Sequence, residues 1–161
     1  MSPAAGQGLR AAVTADAAAL ARLRFAFRAD LEPPAEAEAG FLARCTPWMA
    51  RRLAPGGSWR CWVAAGTEPV GTVWLQLVEK LPNPVAEPEW HGYISSLFVR
   101  PEARGAGLGS RLLAAALTEC DRSGCDAVVL WPTPRSRSLY LRHGFAPQDD
   151  LLERRARRSG P

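Results

Sequence analysis

Apolar and polar positions change their period along this chain, and each change marks an element. "LRAAV" (Leu9–Val13) reads as a first strand. Thr14 or Asp16 then offers an oxygen to the free N–H groups of a helix start. Leu20, Leu23, Phe25 and Phe27 carry that helix to about Ala29. Two prolines in "LEPPAEAEAG" interrupt the pattern. Ala35 to Leu53 reads as a second helix bearing Phe41, Leu42, Trp48 and Met49, and "APGGS" ends it. Alternation returns in "WRCWVAAG" around Trp59, Cys61 and Val63. Gly66 to Pro69 is a turn, and "VGTVWLQLVEK" is the longest strand. The proline-rich "LPNPVAEPEWHG" is a loop leading to the strand "YISSLFV". From Leu108 to Arg122 the residues Leu108, Leu112, Leu113, Ala116, Leu117 and Cys120 fall at helical spacing, and Gly124 stands where a helix-ending glycine belongs. "DAVVLW" is a short continuous apolar run fit for a buried strand. Pro134 to His143 reads as a short helix, and a weak last strand follows "GFAP". The order is that of one mixed α and β domain.

Length and composition narrow the class. The 161 residues suit one domain, and 47% hydrophobic with 22% charged residues is ordinary for a globular protein. No run of about 18 apolar residues indicates a membrane span. "MSPAAGQGLR" lacks the basic and apolar regions of a secretory signal, so the expected location is cytoplasmic. The four cysteines (Cys45, Cys61, Cys120, Cys125) form no CxxC pair and no metal-like cluster; they read as reduced thiols, and no metal is expected. Of the net charge of +4, the last nine residues, "ERRARRSGP", supply +3. A basic end of this kind reads as a solvated tail rather than a nucleic-acid contact.

The chemistry concentrates between a strand and a helix. Arg104, Gly105, Ala106, Gly107, Leu108, Gly109 and Ser110 make a loop whose backbone N–H groups converge. Glycine lets a ligand approach without a Cβ in the way. The helix start adds unpaired N–H donors and the positive end of its dipole. That is an anion site, most naturally for phosphate. A Walker loop would need a lysine near its end, and none is there. A dinucleotide fingerprint would need a third glycine where Ser110 stands, and would open its domain rather than follow half of it.

The stretch from Arg104 to Gly109 resembles the [Q/R]-x-x-G-x-[G/A] motif of the GNAT superfamily of acyl-CoA N-acyltransferases. "LFVRPEA" (Leu97–Ala103) is similar to the family's lead-in, and "LYLRHGF" (Leu139–Phe145) to its second signature, a short helix ending in Gly-Phe. The resemblance covers roughly Leu9 to Glu153 and is strongest from Tyr93 to Phe145. It implies an α+β fold. The central mixed sheet would be mostly antiparallel, with a parallel, splayed fourth and fifth strand, flanked by about four helices. Residues 8–153 would form the domain and 154–161 the basic tail.

The resemblance also implies acetyl-CoA as donor and a small-molecule or protein amine as acceptor, with neither nucleic acid nor membrane as partner. The pyrophosphate would sit on the loop from Arg104 to Ser110, and the pantetheine arm would pair with the backbone of Leu97, Phe98 and Val99. The attacking amine must be neutral, whereas a lysine-like amine has a reference pKa near ~10.4. The thioester carbonyl must be polarised, and the leaving thiolate gains from a proton donor. Tyr140 occupies the tyrosine of the second signature and is the candidate acid. Some members carry a glutamate on the fourth strand where Tyr93 falls here, so Glu89 or His91, just upstream, is the candidate base, directly or through water. Thr133 stands near a place where the family often has asparagine, and Arg135 and Arg137 follow it. Asp30, Glu32, Glu36, Glu38, Trp48 and Trp90 lie where members shape the acceptor pocket; they suit a cationic amine or are simply surface acids and core tryptophans. A non-catalytic acyl-CoA sensor of the same fold is the alternative. Dimerisation is common in that superfamily, and no residue of this chain marks an interface.

Overall fold

A computed structural model describes residues 8–156. Five strands form one sheet in the order of the chain: β1 (Gly8–Ala11), β2 (Trp59–Ala65), β3 (Pro69–Glu79), β4 (Trp90–Val99) and β5 (Cys125–Val129). Neighbours are antiparallel except β4 and β5, which run parallel. The helices are α1 (Ala17–Leu31), α2 (Glu38–Leu53), α3 (Leu108–Arg122) and α4 (Arg137–Arg142). This is the mixed α+β sheet expected from the sequence. The chain divides into two compact units, one through Trp131 and one from Pro132.

In the first unit the sheet carries helices on both faces. Leu20 and Leu23 of α1 are fully buried against Val63, Trp74 and Phe98, and Met49 of α2 joins them. On the other face lie Leu112, Leu113, Ala116 and Cys120 of α3, all buried. The sheet is thinned where α3 presses on it. A Cβ built on Gly92 would stand 2.8 Å from the Cys120 Sγ, and one on Gly71 would stand 3.1 Å from the Phe98 carbonyl oxygen. At Gly92 a side chain would force Cys120 to move, and at Gly71 its neighbours, Leu112 of α3 among them, would have to give way.

Local chemistry explains the element ends. Asp16 turns back from the α1 start: its carboxylate accepts from the Val13 N–H (2.8 Å) and from both Arg10 terminal nitrogens (2.7 and 2.8 Å). Gly124, at φ +67°, closes α3 as the pattern predicts. The second unit holds α4 inside a cage of turns. The Thr133 N–H donates to the Ser136 hydroxyl (3.0 Å), and Gly144, at φ +86°, ends the helix.

Three expectations need correction. The run read as a buried strand, β5, has Asp126 and Ala127 exposed and its other residues half-buried. β4 begins at Trp90, so Trp90, His91 and Gly92 belong to the strand and not to the preceding loop. The weak strand after "GFAP" does not form among the described residues. Pro147 has no N–H to give a ladder, and Leu151 and Leu152 are exposed. Of the basic tail, residues 154–156 carry no regular structure; 157–161 lie outside the described residues, as do 1–7 at the N-terminal end.

Candidate active site

β4 is the spine of the site. Its antiparallel register with β3 slips by one residue: Trp74 faces Ser95, but Thr72 faces Phe98. Ser96 and Leu97 therefore share one partner position, which is a β-bulge. Ser96 takes φ +55°, a left-handed conformation that a serine adopts only when its surroundings hold it there. On the other side, β5 pairs with β4 only from Trp90 to Tyr93. Beyond Tyr93 and Val129 the ladder stops, while β4 runs on to Val99. The two parallel strands thus part three residues before the bulge. The backbone of β4 from Ile94 onward is left without a β5 partner, in reach of an extended ligand.

That free edge leads straight to the glycine loop. Gly105 and Gly107 have φ +85° and +73°, and no atom lies within 4 Å of where a Cβ would stand on either. The cradle is open. Gly107 is also the first cap of α3, and no side chain caps that helix. The N–H groups of Leu108, Gly109 and Ser110 therefore face outward as donors. The loop and slot fit a long ligand with an anionic end. Arg104 does a different job from its neighbours. Its Nε donates to the Val99 carbonyl (2.9 Å), its Nη2 to Asp30 (3.2 Å), and its guanidinium lies over the Phe98 ring at 5.7 Å. The side chain thus bends back and ties the loop to β4 and α1, while its backbone N–H donates to the Pro101 carbonyl (3.3 Å).

The acetyltransferase (GNAT) family model matches residues 19–145. The chain belongs to that family. A GCN5-related N-acetyltransferase from Ralstonia eutropha JMP134 is 27% identical, with 91% of this chain and 97% of that one covered at a TM-score of 0.72. An integron cassette protein from the mobile metagenome of Cole Harbour Salt Marsh is 27% identical, covering 95% and 91%, also at 0.72. A predicted acetyltransferase with acetyl-CoA from Clostridium acetobutylicum has the same fold at 20% identity, covering 92% and 95%, at 0.72. No curated protein matches.

The other expected residues of this GNAT protein are placed as follows. Tyr140 sits on α4 in the second unit, buried, with its ring edge-on to Phe145 at 5.6 Å. Burial pushes its phenol above the ordinary value, and the Ser136 side chain pulls it part of the way back. Glu89 is exposed and precedes β4; its carbonyl is held by the Lys80 N–H (2.7 Å). His91 lies within β4 where β5 still pairs, two residues before the strands part. Its Nδ1 is buried and has no hydrogen-bond partner. Tyr93 marks the point of parting, with Trp131 edge-on to it at 5.4 Å.

The acidic residues expected to suit a cationic amine are mostly engaged. Glu32 pairs with Arg28, Glu36 with Arg44 and Asp30 with Arg104. Trp48 packs with Trp59 and Trp74 in an aromatic cluster at 5.4 and 6.2 Å, so it is a packing residue. The sequence reading missed two residues here. Arg24 of α1 donates from Nη1 to the Ser96 hydroxyl (3.2 Å), so α1 touches the bulge itself. A signal existed: Leu20, Leu23, Arg24 and Phe27 share one helical stripe, and an arginine interrupts it. Among the described residues no three of His, Cys, Asp and Glu gather as a metal site.

Proposed function

We propose that this protein transfers an acetyl group from acetyl-CoA to a primary amine of a small molecule or protein, by direct attack in a ternary complex. One observation carries the reading: β4 loses its β5 partner after Tyr93, and the chain that continues from it opens into the glycine loop and the uncapped start of α3. A thioester on an amide-bearing arm that ends in a pyrophosphate suits a free strand edge followed by an anion site. The Clostridium acetobutylicum neighbour, whose fold is the same, is described with acetyl-CoA.

Bound acetyl-CoA supplies an activated acyl group and a thiolate leaving group. The N–H groups from Gly105 to Ser110 hold the pyrophosphate by charge-assisted hydrogen bonds; that of Arg104, expected among them, is bonded to the Pro101 carbonyl. The backbone of Leu97, Phe98 and Val99 pairs with the pantetheine amides as an added strand would. A backbone N–H near the bulge stabilises the oxyanion, where negative charge develops during attack. By its place in the second signature, Tyr140 is the proposed donor of a proton to the departing sulfur; its phenol is protonated at neutral pH at its ordinary value near ~10, and burial raises it further. Glu89 and His91 both stand as candidate bases, directly or through water: Glu89 is exposed just before β4, and His91 lies in β4 with its Nδ1 buried and unpartnered.

Calorimetric titration tests the donor. Micromolar binding of acetyl-CoA and CoA, but not of NAD, is the expected result, followed by thiol release on adding amines. A folded sample that binds neither CoA species overturns the reading. Binding without release for any amine favours the acyl-CoA sensor instead.

A further inference from the structure

The charges around the bulge do not balance. On and next to α1, Arg28 has Glu32, Arg44 has Glu36, and Arg104 has Asp30. Arg24 has no carboxylate among the described residues. Its one hydrogen bond is to the Ser96 hydroxyl, and its guanidinium lies over the Phe27 ring at 5.5 Å. Phe27 in turn stacks on Phe98 at 5.4 Å. The group is half-buried, so it is a cation held partly out of water, and of its five N–H donors one is bonded to another side chain. Burial lowers its affinity for its proton, and the nearby positive charge of Arg28 adds to that. A desolvated cation of this kind costs stability unless an anion joins it.

Its place matters as much as its charge. Ser96 is the bulge residue of β4, three residues past Tyr93, where the pairing with β5 ends; on the acetyl-transfer reading the acyl end of the donor arrives along this freed stretch. Arg24 reaches that stretch from α1 through its bond to the Ser96 hydroxyl, away from the glycine loop. We propose that the acceptor is an amino carboxylate, and that Arg24 binds its carboxylate while the amine reaches the thioester. A planar guanidinium matches a carboxylate through two parallel N–H bonds. One unpaired cation balances one negative charge. A phosphomonoester carries about −1.5 to −2 at neutral pH, more than one guanidinium balances, and the neighbouring Arg28 is paired with Glu32. The inference rests on the acetyl-transfer reading above.

The test compares each amino acid of a small panel with its own amide, in which the carboxylate is replaced and the amine kept. Thiol release gives kcat/KM, and calorimetry gives acetyl-CoA affinity independently. On the wild-type chain the carboxylate form is expected to be at least tenfold better. In Arg24→Gln that ratio should fall to near one through KM, with acetyl-CoA affinity unchanged; Arg24→Lys should recover part of it. Amides used as well as, or better than, the carboxylates overturn the proposal while leaving acetyl transfer standing. Acetyl-CoA binding with no turnover of any amino carboxylate overturns it as well. Failure to bind acetyl-CoA removes the underlying reading first. The wild-type ratio decides the matter even where a variant does not fold.

Discussion

Arg104 and Asp30 hold the glycine loop from behind: the Arg104 Nη2 lies 3.2 Å from the Asp30 carboxylate, while its Nε stays on the Val99 carbonyl at 2.9 Å. The arginine of the motif therefore sets the shape of the loop, and the loop's backbone is left to meet the anion. Arg104→Ala removes both ties. Both side chains are about one-third exposed, so each tie is worth roughly 1 kcal/mol or less. We expect acetyl-CoA affinity to fall by about three- to tenfold, as seen by calorimetry. Asp30→Asn spares the bond to Val99 and should change it by less than about twofold. An Arg104→Ala variant with wild-type affinity would contradict this role.

Tyr140 makes a different signature. If it protonates the leaving thiolate, Tyr140→Phe removes the proton and keeps the packing on Phe145. Turnover should drop by about a hundredfold, in the range of general acid catalysis, with little change in acetyl-CoA affinity. The pH profile adds a check. A phenol raised above its ordinary value remains protonated as pH climbs through the usual tyrosine range. Wild-type kcat should therefore show no fall from loss of this proton below about pH 10. Equal turnover in the two proteins would end the assignment.

Gly92 is a steric prediction. Its absent Cβ is what lets Cys120 of α3 lie on β4. Gly92→Ala should destabilise the fold by about 1–3 kcal/mol, as overpacking does. Because the clash is with one sulfur, Cys120→Ala should cost less in the Gly92→Ala background than alone. Denaturant unfolding of the four proteins measures that coupling.

Asp16 predicts a pH dependence. Its carboxyl is held below the usual value, chiefly by the hydrogen bonds from Arg10 and also by the Val13 N–H, although burial opposes them. A depressed carboxyl stabilises the fold at pH values above its unfolded value of about 3.9. That contribution is lost as pH falls through the lower, folded value. At pH 7 Asp16→Asn should cost about 1–2 kcal/mol. The gap from wild type should narrow below about pH 4 in thermal unfolding curves. A gap that stays constant down to pH 2 would contradict the charged pairing.

Much of this was legible in the residues, and the exceptions have physical causes. α3 ran from Leu108 to Arg122 as its spacing implied, because a long amphipathic period and a terminal glycine are local signals. The start of β4 was not local. Trp90 to Gly92 follow three prolines, yet they are strand because β3 and β5 pair with them on both sides. The bulge was hidden too, since "YISSLFV" reads as plain β sequence and the extra residue shows only in the register with β3. Arg24 was visible as a charge in an apolar stripe, but its meaning needed Ser96, 72 residues away.

The bulge has a consequence for how this chain tolerates change. Facing direction in a strand is a matter of counting, and the extra residue at Ser96 resets the count. Past it, Phe98 packs with the α1 core and Val99 lies beside Leu112 of α3. Delete one residue between Ser95 and Leu97 and the parity of everything downstream inverts. Phe98 would face α3, Val99 would face α1, and the glycine loop would leave the sheet half a pleat out of phase. A deletion here should therefore be worse than any substitution at the same site. The length of this strand, more than the identity of its residues, is what lineages of this chain would have to keep.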